Sequence, residues 1–205
     1  MTAARGRHAP PPEVRLPIQR DRLLEAAAQE FAGRGYVASS SESISRRAGM
    51  SKATFYEHFE NKQACMLALF DRSADVVGRA MLEAAAAAPG GAIERMQAGT
   101  LAFLGSVVRY PEFARTLLIE SMAAGPEAAR RRDEVVQGYA ALLDAENAEA
   151  AERGLIGRFA SPHDPVAIVG AISELVSRQV RLGVPEDVFE LAPVIDRLIG
   201  GMLGP

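Results

Sequence analysis

Between Ser39 and Lys62 the chain sets out hydroxyls, lysines, a phenol and an imidazole at short intervals: Ser39, Ser40, Ser51, Lys52, Thr54, Tyr56, His58 and Lys62. Groups of these kinds bind phosphate oxygens and base edges. Lysine donates to guanine or phosphate, and threonine donates, accepts or touches a thymine methyl. Ala53, between them, leaves room for close approach to a groove. Tyr56 and His58 suit phosphate contacts that set register. Ser39 and Ser40 stand where backbone N–H groups at a helix start attract an anion. Lys62 falls in the first turn of a helix, a poor place for a lone cation and one that a nearby phosphate would explain.

Positioning such groups needs short helices held at fixed angles. Leu24, Ala27, Ala28 and Phe31 fall on one face of a helix predicted from Ile18 to the Gly33/Gly35 pair. Gly35 is the better C-terminal residue for a left-handed conformation. Ser39 and Glu42 match a capping box that opens a second helix, with Ile44 and Ala48 inward and Gly49 at its end. Ser51 caps a third helix, Lys52 to about Phe59, and Asn61 caps a long fourth. On the fourth, Leu67, Phe70, Ala74, Val77 and Met81 recur at helical spacing. Phe31, Tyr36, Ile44, Ala48, Phe55 and Phe59 are the expected small core. Two short helices joined by the tight turn Ala48-Gly49-Met50 read as a helix-turn-helix, whose second helix enters the major groove of DNA.

The formal net charge is −3, which argues against a nucleic-acid partner until it is divided. Residues 1–62 hold ten Lys/Arg and seven Asp/Glu, a net of +3, and residues 63–205 hold 13 and 19, a net of −6. A basic head next to a helix-turn-helix is the footprint of DNA binding. Residues 1–17, basic and proline-rich, read as a disordered arm.

Phe31-Ala32-Gly33-Arg34-Gly35-Tyr36, the paired Ser39-Ser40, Ile44, Ala48-Gly49-Met50-Ser51, Phe55-Tyr56-Glu57-His58-Phe59 and Asn61-Lys62 closely resemble the DNA-binding domain of the TetR family of bacterial transcriptional regulators. The match covers about residues 18–66. It departs from the family pattern at Ser39 and Ser40, where threonine is favoured. Ser41 and Ser45 replace an apolar residue and alanine, and Cys65 replaces leucine. The resemblance implies a helical ligand-binding and dimerisation domain over 67–205, a palindromic operator and a repressor released by a small-molecule effector.

The composition fits helices throughout, with 37 alanines and no tryptophan. Further helices are expected over about 92–109, from Pro111, from Pro126 to about Arg153, from Pro165 to Leu182, and up to Met202. The expected class is all-α with about nine helices. An apolar pocket between the middle helices would draw on Met96, Phe103, Leu104, Val107, Tyr110, Phe113, Leu117, Leu118, Met122, Tyr139 and Leu143, with Arg115 as a polar handle. By the resemblance, the last two helices form a four-helix interface in a homodimer. Gly170, Ser173, Val176, Ser177 and Val180 are the expected contacts on one, and Val194, Ile195, Leu198, Ile199 and Met202 on the other. The run Arg130-Arg131-Arg132 could bind an anion, but beside Asp133 and Glu134 it reads rather as a solvated face.

Other function classes find little support. No G-x-S-x-G, H-E-x-x-H, P-loop or dinucleotide fingerprint occurs, so no catalytic residues and no cofactor are expected. His8, His58 and His163 lie far apart, which gives no metal set. Cys65 reads as a small buried hydrophobe rather than a nucleophile or redox sensor. No apolar run approaches the ~18 residues of a membrane span, and none resembles a secretory signal, so a cytoplasmic regulator is expected. The competing readings are a helical DNA-binding co-regulator without a ligand, and a small helical enzyme.

Overall fold

The computed structural model describes residues 11–203. Among them the order is α1 (Pro12–Arg34), α2 (Ser41–Arg47), α3 (Lys52–His58), α4 (Lys62–Ala87), α5 (Ala92–Arg109), α6 (Pro111–Leu118), α7 (Pro126–Glu152), α8 (Asp164–Leu182) and α9 (Ala192–Met202). Two 3-10 turns, Glu120–Ala124 and Val188–Leu191, precede α7 and α9. The described residues hold no strand, only an isolated bridge between Phe159 and Leu203. The all-α expectation and its nine helices hold.

Two boundaries differ from the sequence reading. The first helix starts at Pro12 rather than Ile18, so the expected arm is helical from there on. Proline suits a first turn, where its missing N–H has no helical partner. Pro17 lies inside the helix. Residues 1–10 of the expected arm lie outside the described residues. At α2 the cap is Ser40, not Ser39. Ser40 Oγ accepts from the Ser43 N–H at 3.1 Å, and Ser43 Oγ accepts from the Ser40 N–H at 3.0 Å. Ser43 thus takes the place expected of Glu42, which instead pairs with Arg46 at the surface. Ser39 is turned inward, its hydroxyl donating to the carbonyls of Gly35 at 2.7 Å and Glu30 at 3.2 Å.

The first core centres on Leu23, Phe31, Ile44, Phe55, Phe59, Cys65, Met66 and Leu69. It confirms the sequence-derived core and orients α1, α2 and α3. It does not stop at residue 66, because Ala124 and Ala128 from the body complete it. Burial pushes the Cys65 thiol up to about 12, so it is an inert apolar group at neutral pH. Glu30 is buried beneath α2. Burial pushes its carboxyl up, but the hydrogen bond from Arg47, the nearby Ser43 hydroxyl and the charges of Arg47 and Arg34 outweigh that and hold it below its ordinary value. Arg47 Nε donates to it at 2.7 Å, which fixes α2 against α1. A second core forms in the body around Leu104, Ile168, Val176, Val188, Ile195 and Ile199.

Candidate nucleic-acid interface and effector cavity

Helix α3 has only seven residues, and its two sides differ sharply. Phe55 is fully buried against Phe59, with ring centroids 5.4 Å apart. Lys52, Ala53 and Tyr56 face outward. Tyr56 leaves half its surface in solvent, which leaves its phenol free for a partner. The helix starts at Ser51, whose Oγ accepts from the Thr54 N–H at 3.0 Å. The turn before it needs Gly49, at φ +66, where a side chain would be strained. An outward lysine, an alanine and a tyrosine, with Thr54 half-exposed beside them, form a surface that can reach base edges and phosphates.

Three of the sequence-derived contacts are placed differently. Ser39 is buried and its hydroxyl is committed to two carbonyls, so it offers nothing to a phosphate. His58 is half-buried and lies toward α1, with Nε2 3.4 Å from Gln19 Oε1. Burial first, then the charge of Arg20, holds its imidazole below the ordinary value, so it is neutral at pH 7. Lys62 points back at the α1–α2 loop. Its Nζ donates to the carbonyls of Tyr36 at 2.7 Å and Ser39 at 2.9 Å, and lies 4.1 Å from the Tyr36 ring centroid. Those carbonyls and that ring, not a phosphate, explain a cation in the first turn of α4. Ser40 remains exposed at the start of α2.

The two lysines are therefore expected to behave differently. Lys62→Ala should cost about 1–2 kcal/mol of stability. It should weaken DNA binding through loss of loop position, without altering the salt dependence. Lys52→Ala should leave stability unchanged and reduce the slope of log affinity against log salt by about 1. Salt-titrated binding of both variants checks this, and an equal drop in slope for Lys62→Ala would restore the phosphate contact.

Behind this head the body holds two adjoining hollows of about 200 and 140 Å³ with a common wall, which we treat as the two lobes of one cavity. Together they reach the lower end of small-molecule sites, ~300–1,000 Å³. Val77, Phe103, Leu117 and Leu118 line both lobes. Val107, Tyr110 and Phe113 line the first, and Tyr139 the second. The Tyr139 hydroxyl donates to the Ala74 carbonyl at 2.9 Å, and burial pushes its phenol up to about 12.

The other expected lining residues lie elsewhere. Leu104, one residue and about 100° round the helix from Phe103, is fully buried in the second core, and Leu143 packs against that core. Met96 lines a separate small hollow beside Asp196. Met122 sits in the Glu120–Ala124 3-10 turn and is two-thirds exposed. Arg115 is not in the lining. Sequence reasoning missed Phe70, Ala74 and Met81 as cavity residues, although their helical spacing with Val77 is legible. It also missed Glu25 and Arg72 at one end and Arg132 at the other.

The expected dimer face also divides. Val176, Ser177, Ile195 and Ile199 are buried inside the chain's own second core. The Ser177 hydroxyl donates to the Ser173 carbonyl at 2.6 Å, and Ser173 lines the cavity. Val180 and Met202 pack partly buried against the same core. Ser173 and Ser177 of α8 thus serve the chain's own packing. Gly170 and Val194 are the residues left toward the outside, whereas Leu198 also packs against the second core. A side chain at Gly170 would meet nothing within 4 Å, Val194 is exposed, and Leu198 is half-buried.

Comparison with known proteins agrees with this arrangement. The family described as "Bacterial regulatory proteins, tetR family" matches residues 23–69, the stretch that supplies most of the first core. The HTH-type transcriptional regulator YdgC of Bacillus subtilis is 28% identical, over 90% of this chain and 92% of that protein. The fatty acid degradation regulator FadR of Bacillus halodurans superposes with a TM-score of 0.80 at 22% identity, covering 89% of this chain and 94% of FadR. The transcriptional regulator FadR of Bacillus subtilis, solved in complex with stearoyl-CoA, superposes with a TM-score of 0.78 at 22% identity, over 90% of this chain and 99% of FadR. The head, the helical body and the relatives converge: residues 23–69 form a DNA-binding domain of the tetR family of bacterial regulatory proteins, and the chain as a whole is similar to DNA-binding transcriptional regulators.

Proposed function

We propose that this regulator is a cytoplasmic repressor that binds a palindromic operator as a homodimer and is released by a small, mostly apolar effector. The observation that carries the reading is the reach of the cavity. Its wall is apolar through α5 and α6, yet its first lobe touches Glu25 of α1 and Arg72 of α4. Arg72 is ion-paired with Asp21, so the helix that leads out of the head is tied to α1 at the edge of the cavity. An effector that binds better when these helices are displaced shifts the protein away from its DNA-binding state by that difference in affinity.

The recognition residues are Lys52, Ala53, Thr54 and Tyr56, with Ser40 and Ser51 at helix starts. Dimerisation uses the outer side of α8 and α9, where Gly170 and Val194 remain available. A two-fold dimer sets two copies of α3 on two half-sites. The acyl-CoA bound by the Bacillus subtilis FadR is a large amphiphile with an apolar chain, and the present cavity suits such a chain. No helix among the described residues is long and apolar enough to cross a membrane.

The test is a footprint on DNA flanking the gene, followed by addition of long-chain acyl compounds. A protected palindrome that such a compound releases is the expected result. A tight complex indifferent to every apolar compound would favour a regulator without a ligand.

A further inference from the structure

The two ends of the cavity carry opposite electrostatics. At the first lobe Arg72 is paired with Asp21, and Glu25 lies in the same wall, so one cation faces two carboxylates. The second lobe is lined by apolar side chains, Ser173, Tyr139, whose hydroxyl is committed to the Ala74 carbonyl, and one cationic residue, Arg132. Its neighbour Arg131 is held by Asp71 and Glu134. Arg132 makes no ion pair or side-chain hydrogen bond among the described residues. It is half-buried, with Val135 and Val136 one turn further along the same wall. A cation drawn partly out of water beside an apolar cavity gains from an anion that comes with the ligand. Of the two readings of the Arg130–Arg132 run, Arg132 therefore fits anion binding better than a solvated face.

We propose that Arg132 anchors the anionic head of a single-chain amphiphile. The chain passes the shared wall at Phe103 and Leu117 into the first lobe and ends beside the Arg72–Asp21 pair. The inference rests on the effector reading above and adds the ligand's polarity and direction. A head placed at the other end would meet the carboxylate of Glu25, beside an Arg72 already paired with Asp21. The shared chemistry is a straight apolar chain with a negative head, either a free carboxylate or a phosphate-bearing thioester.

The test compares the full-length protein with Arg132→Gln, using calorimetry with dodecanoate, dodecanoyl-CoA and 1-dodecanol. An anionic probe should lose roughly tenfold in affinity in the variant, while 1-dodecanol binds both proteins alike. The unchanged alcohol also shows that the variant keeps its cavity. Whichever anionic probe depends on Arg132 identifies the head as carboxylate or phosphate. Equal binding of the anionic probes by both proteins, or an equal loss for all three probes, overturns the assignment of Arg132 and leaves the effector reading standing. Failure of all three to bind the unmodified protein overturns both.

Discussion

Phe55→Ala is expected to cost about 3–5 kcal/mol of stability and to abolish DNA binding. Phe55 is the one residue of α3 that is fully buried, and it packs against the rings of Tyr56 and Phe59. Removing the ring leaves a cavity that a seven-residue helix cannot close without changing the angle at which it meets DNA. Whole domains are stable by only ~5–15 kcal/mol, so a loss of this size is a large share of the total. Denaturant unfolding and operator binding of the same preparation check it. A cost under about 1 kcal/mol, with binding intact, would mean that α3 is held by its caps and not by its core.

The second large effect concerns the outward side of the same helix. The double substitution Lys52→Ala, Tyr56→Ala should weaken operator binding roughly hundredfold, about 3 kcal/mol, with both stability and helix content unchanged. Each recognition helix then lacks the charge-assisted hydrogen bond of one lysine and the hydrogen bond of one phenol, and these together make up the deficit. Neither side chain supports the fold, because both face solvent. Fluorescence anisotropy at several salt concentrations measures the weakening. A double variant that keeps its sequence-specific affinity would move the recognition surface away from α3. Together with Phe55→Ala, this pair separates holding the helix from reading with it.

The head is legible in the sequence because local signals agree there. Ser51, Asn61, Gly35 and Gly49 punctuate short helices, and an aromatic set too large for solvent must lie between them. What local pattern does not supply is the direction of side chains with two good choices. Ser39 and Ser40 are identical in type, and only the nearby carbonyls of Gly35 and Glu30 decide which of them turns inward. Lys62 escapes the sequence reading for a similar reason. Its partners are backbone carbonyls 23 and 26 residues away, which leave no trace in residue type.

In the body the helices are legible and their facing is not. Periodicity marks an apolar stripe but not which of several neighbours it meets. The apolar positions of α8 and α9 are therefore expected between subunits, whereas the chain's own second core takes Val176, Ile195 and Ile199. The triple arginine shows the same gap at single-residue scale. Arg131 finds Asp71 on α4, and Arg132, one position on, lines the cavity wall.

The loop between α1 and α2 is gripped from both sides at one residue. The Tyr36 N–H donates to Glu120 at 2.8 Å, and the Tyr36 carbonyl accepts from Lys62. Gln63 of α4 also donates to the Ala124 carbonyl, and Ala124 and Ala128 cover the first core. The DNA-reading head is consequently not a transplantable cassette. A chimera joined at residue 66 would leave Tyr36 without one clasp and the first core without its lid, so exchange of specificity between relatives has to carry the 120–128 segment along with the helix-turn-helix.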